Sequence, residues 1–85
     1  MPWDADHARR YGATLRRLRQ ERGLSQEALA YQAGITRNQL QLIENGRASS
    51  RRDSDTPSNP RASTITGLAE VLGVTVSEMF TDADL

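Results

Sequence analysis

LSQEALAYQAGITRNQLQLIENG, residues 24–46, is the stretch that decides how this chain folds. Ser25 is suited to cap a helix over 26–33, and Gly34 to close it in the left-handed conformation that helix ends favour. Leu29, Ala30 and Ala33 fall on one face of that helix. A second helix starts at once. Thr36 and Gln39 have the spacing of a capping box, and Ile35 and Leu40 that of a hydrophobic staple. Leu40 and Ile43 give this second helix a buried back, and Gly46 ends it near residue 45. Small Ala30 allows a close helix crossing. Two short helices joined by a tight glycine turn, the second with its front left free, form a helix-turn-helix.

Upstream, Ala8, Tyr11, Leu15 and Leu18 recur at spacings of three and four, so a first helix is expected from residue 8, ended by Gly23. Gly12 is a weak point there, costing about 1 kcal/mol against alanine. Residues 1–7 read as a flexible start. Trp3, His7 and Tyr11 are isolated residues to which no site is assigned. Downstream, residues 47–61, RASSRRDSDTPSNPR, hold no Val, Ile, Leu, Met or aromatic residue. They form a polar loop longer than the usual connection. A fourth helix follows, capped either by Asn59 with Pro60 at its first position or by Ser63. Ile65, Leu68, Ala69 and Leu72 form its core face and Gly73 closes it. Thr75 and Glu78 make a second capping box, stapled by Val74 and Met79, for a short fifth helix ending near residue 80. Residues 81–85 read as an acidic tail. The expected fold is all-α with five helices, one domain over 8–80 and a motif at 26–45.

Composition excludes several chemistries. The 85 residues include no cysteine and one histidine, and all eleven basic residues are arginine. Disulfides, thiolate zinc sites, histidine metal clusters and lysine nucleophiles are therefore ruled out. No catalytic residue, metal or cofactor is expected, and the chain is not expected to be an enzyme. No apolar run approaches the roughly 20 residues of a membrane helix, and no apolar signal segment follows Met1, so a cytoplasmic protein without membrane contact is expected. The net charge is zero, but unevenly distributed. Asp4 and Asp6 give residues 1–8 a charge of −2. Residues 9–61 carry all eleven arginines against Glu21, Glu27, Glu44, Asp53 and Asp55, a local charge of +6. Glu70, Glu78, Asp82 and Asp84 give the remainder −4. A cationic middle suits a polyanionic partner.

LRRLRQERGLSQEALAYQAG (15–34), ITRNQLQLIENG (35–46) and PRASTITGLAEVLGVTVSEMF (60–80) together resemble the Cro/C1-type, or XRE-like, helix-turn-helix regulators. The resemblance implies a five-helix, lambda-repressor-like DNA-binding domain. It implies double-stranded DNA as partner, with the helix from 36 to 45 in the major groove. Arg37 and Asn38 fall on the family's main base-reading positions. Arginine there suits guanine and asparagine suits adenine. Gln39 and Thr36 combine possible base or phosphate contacts with their capping roles. Leu42 stands where the family often carries a polar or basic side chain, and it can still meet a thymine methyl. Gln26 corresponds to a glutamine that bonds phosphate and braces the base-reading side chain, and Ser25 beside it is a phosphate candidate as well as a cap. Arg19 and Glu44 match a structural ion pair between the first and third helices.

The loop is the largest departure, since thirteen residues separate Gly46 from Pro60 where the family has a short connection. Arg47, Arg51, Arg52 and Arg61 are candidates for phosphate contacts, which raise affinity without reading sequence. The function implied is a transcriptional regulator, acting as a repressor on a (pseudo)palindromic operator as a homodimer. Val76, Met79 and Phe80 are the candidate dimer surface. The alternative is an antitoxin or interaction module that binds a partner protein and uses DNA for autoregulation.

Overall fold

The computed structural model describes residues 2–51 and 56–85. It holds five helices in the order α1 (Ala5–Glu21), α2 (Gln26–Ala33), α3 (Arg37–Glu44), α4 (Ala62–Leu72) and α5 (Val76–Asp82). α1 packs on α3 and α5, α2 on α3 and α4, and α4 on α5. One core results, built from Tyr11, Leu15, Leu18, Leu29, Leu40, Leu68, Leu72 and Met79 among others. The local stop and start signals operate as the residues dictate. Ser25 Oγ accepts from Ala28 N, and Thr36 and Thr75 each complete a capping box with Gln39 and Glu78. Gly34 closes α2 at φ 75°, in the left-handed region where a side chain would be strained. That turn sets α3 across α2.

Four expectations need correction. Residues 1–7 are not a loose lead-in, because α1 begins at Ala5, three residues before the apolar stripe. Asp4 caps it by accepting from His7 N at 3.0 Å, while His7 Nδ1 accepts from Asp4 N at 3.2 Å. Histidine thus takes the place of the usual Glu or Gln in the box. Trp3 stacks on His7 and meets Tyr11 edge-on, at ring separations of 5.9 and 6.2 Å. The acidic tail at 81–85 begins inside α5, which continues past the end expected near residue 80. α5 runs to Asp82, Ala83 is buried and Leu85 packs against the core. α4 uses neither Asn59 nor Ser63 as cap; its N-cap is Arg61, without a side-chain cap bond.

Gly12 is the fourth correction. A Cβ there would lie 2.6 Å from Glu44 O and closer still to Ile43 O. The missing side chain lets α1 lie directly on the C-terminal turn of α3. What looks like a helix defect is the condition for the close approach of α1 to α3.

The 47–61 connection is structured where it is described. Arg47 and Pro57 form an antiparallel bridge. Ala48 N donates to Thr56 O, and Ser58 N donates to Gly46 O. The two limbs leave and rejoin the domain as the base of a short arm.

Candidate nucleic-acid interface

The centre of the site is a carboxylate. Glu44 lies on the inner side of α3, with its side chain 0% exposed. Its Oε2 accepts from Arg19 Nε at 2.7 Å and its Oε1 from Arg19 Nη2 at 3.2 Å. Oε1 also accepts from Gln26 Nε2 at 3.1 Å and from Arg16 Nε at 3.4 Å. Arg19 Nη1 donates on to Leu24 O, just before α2, and Arg16 Nη2 to Asn45 Oδ1, just after α3. One buried anion therefore ties together α1, α2 and α3. Burying it is tolerable because charged and neutral donors surround it.

This knot fixes the two helices of the motif and thereby the outward face of α3. Arg37, Asn38, Gln39 and Gln41 are exposed along it. The side chains of Arg37 and Asn38 make no hydrogen bond or ion pair with the described residues, so their polar ends stay available. Gln39 is partly committed, since its Oε1 accepts from Thr36 N at 2.8 Å. Its NH₂ donors remain. Thr36 Oγ1 accepts from Gln39 N and still has a hydroxyl hydrogen to give. Leu42 is half-buried and lines a groove of about 500 Å³ between α3 and the start of α4. Gly34, Gln39, Ala48, Asn59 and Arg61 share that groove.

The other candidate positions divide. Ser25 is exposed at the start of α2, and Gln26 beside it is half-buried. Gln26 spends one N–H on Glu44, leaving its second N–H for an outside acceptor. Arg61 is exposed at the head of α4. Arg47 is half-buried and donates from Nη2 to Arg51 O at 2.6 Å, which braces the arm. Arg51 is exposed, and Arg52 lies outside the described residues. Met79 is 0% exposed, so it belongs to the core and not to any face; Val76 and Phe80 are half-buried. The single motifs do not reveal the four-way bonding of Glu44 or the participation of Arg16. A glutamate in an amphipathic stripe beside Ile43 is the one local sign that it faces inward.

Among the described residues no helix is long and apolar enough to cross a membrane. Among the described residues, no group of three or more His, Asp or Glu side chains converges as metal ligands would.

Comparison with known proteins agrees with this architecture. The family model described as "Helix-turn-helix domain" matches residues 10–79. The chain is 34% identical over 73 residues to a protein of Sinorhizobium fredii named "Uncharacterized HTH-type transcriptional regulator y4dJ", covering 86% of this chain and 82% of that one. The crystal structure of the restriction–modification controller protein C.AhdI from Aeromonas hydrophila superposes with a TM-score of 0.71 at 30% identity, covering 85% of this chain and 94% of that one. The biofilm master regulator SinR, solved in complex with DNA, superposes with a TM-score of 0.63 at 28% identity, covering 81% of this chain and 95% of that one. With its five-helix, lambda-repressor-like arrangement, the chain belongs to the Cro/C1-type, XRE-like helix-turn-helix family of transcriptional regulators.

Proposed function

We propose that this chain is a sequence-specific DNA-binding repressor that reads a (pseudo)palindromic operator as a homodimer. The observation that carries the reading is the state of α3. Its back is locked through Glu44 and Leu40, while the Arg37 and Asn38 side chains project from its first turn without partners among the described residues. Arg37 can meet guanine O6 and N7 in a bidentate contact, and Asn38 can pair with adenine. Thr36, Gln39 and Leu42 border the same edge and complete the base-reading set. Ser25 and Gln26 at the head of α2, with Arg47, Arg51, Arg52 and Arg61, supply phosphate contacts. That SinR was solved on DNA with this fold supports the docking. A domain of this size spans few base pairs, and pairing two copies about one helical turn apart supplies the missing affinity. Val76 and Phe80 remain the surface for that pairing.

Selection from a random duplex library at physiological salt tests this. The expected result is an enriched two-fold symmetric site with half-sites about ten base pairs apart. On that site Arg37→Ala should cost about 1–3 kcal/mol and relax the preference at one base pair. No enriched sequence, or wild-type binding by Arg37→Ala, would refute the docking and shift weight to a protein partner.

A further inference from the structure

The lone tryptophan lies far from α3 in sequence and does not belong to the motif, yet it reaches the arm that leaves α3. Trp3 Nε1 donates to Ser58 O at 2.6 Å, across 55 residues. Its ring is held from behind by His7 and Tyr11. Ser58 is buried, and its own N–H donates to Gly46 O. The outgoing limb is fastened to α3 by Arg47 N donating to Leu42 O at 2.9 Å. The returning limb is fastened to α1 through Trp3. Ala48 and Ser58, one from each limb, border the groove that Gln39 and Leu42 also line. The arm base is thus gripped from two helices and set beside the outward edge of α3.

We propose that Trp3 is a positioning residue for DNA binding. By clamping Ser58 it aims the arm so that Arg51, braced through its carbonyl by Arg47, meets the phosphate backbone next to α3. The inference rests on the DNA-binding reading above. The N-terminal segment would then set the non-sequence-reading share of affinity without touching DNA itself.

Trp3→Phe keeps an aromatic ring against His7 and Tyr11 and removes the N–H donor. The experiment compares wild type, Trp3→Phe, Arg51→Ala and the double variant on the selected duplex across a salt series. Amide exchange at Ala48 and Ser58 is followed in the free proteins. Expected for Trp3→Phe are faster exchange at both amides, the same enriched sequence, affinity about 3–10-fold weaker, and a salt slope shallower by about one contact. The double variant should bind no worse than Arg51→Ala alone, since both act through one contact. Three results overturn the proposal: wild-type affinity and slope in Trp3→Phe, additive losses in the double variant, or a changed slope with unchanged exchange. A wild type that binds no duplex overturns the DNA reading and this role together. It differs from the other failures, in which the wild type binds.

Discussion

Replacing Glu44 by glutamine should remove a large part of this domain's stability. The change preserves volume and removes the buried charge. It leaves the Arg19 guanidinium, only 12% exposed, facing an amide in place of two carboxylate contacts at 2.7 and 3.2 Å. Breaking a buried pair by removing one partner costs about 3–5 kcal/mol. Arg16 adds little to that figure, being 45% exposed with a 3.4 Å contact. A chain of this length has a total stability of roughly 4–13 kcal/mol. The substitution should therefore consume about a quarter or more of it, with each kcal/mol lowering Tm by roughly 4–8 °C. Urea unfolding read by helical circular dichroism and by Trp3 fluorescence measures the loss. The paired change Arg19→Met with Glu44→Leu supplies the control. Apolar residues of similar size need no counterion, so the double variant should be more stable than Glu44→Gln. A loss below about 1 kcal/mol, or a double variant no better than the single one, would show that the carboxylate is not the tie described here.

Three further outcomes follow from the geometry. Gly12→Ala should destabilise by about 1–3 kcal/mol in the same assay despite alanine's better helix propensity, because its Cβ meets the Ile43 and Glu44 carbonyls. Tyr11→Phe should be neutral or stabilising by up to about 1 kcal/mol, since the Tyr11 hydroxyl is buried without a hydrogen-bond partner among the described residues; burial also pushes the phenol's pKa well up. Backbone N–H donation by His7 holds the Asp4 carboxyl below its ordinary range, and that of Thr75 does the same for Glu78. A depressed carboxyl favours the folded state when ionised. This contribution is complete above about pH 5 and is lost as pH falls through the folded-state values, so Tm should drop on acidification below about pH 4, and less steeply in Glu78→Gln, which has no carboxyl to titrate.

Signals that act over three or four residues were legible in the sequence. Thr36 with Gln39 and Thr75 with Glu78 announce their helices because donor and acceptor lie in one turn. The Asp4–His7 box escaped because histidine is not the residue usually sought at that place, and the apolar stripe begins later. Gly12 was misjudged because helix propensity prices a residue against its own helix, whereas the deciding contact comes from α3. The bond from Trp3 to Ser58 has no local signature: two residues 55 apart meet only once α1 and the arm base are both in place. The Arg19–Glu44 pairing came from family resemblance; residue patterns alone leave Gln26 and Arg16 out of it. On α3, the spacing of Leu40 and Ile43 predicts a buried back and a free front, while the choice of Arg37 and Asn38 as base readers comes from the family resemblance.

The surroundings of α3 also give it an electrical polarity. An α-helix carries a partial positive charge at its N-terminus and a partial negative charge at its C-terminus. At the C-terminal end of α3, Arg16 bonds both Glu44 and Asn45, and Arg19 neutralises the buried carboxylate. The first turn contains no acidic residue and begins with Arg37. Two arginines carried by α1 thus stand against the negative pole, while the positive pole is bordered by the exposed Arg37, Asn38 and Gln39. They thereby strengthen the pull of the exposed end of α3 on an approaching anion. That pull is fixed in the backbone and fades within about one turn, so it acts on an anion already in contact more than on one at a distance.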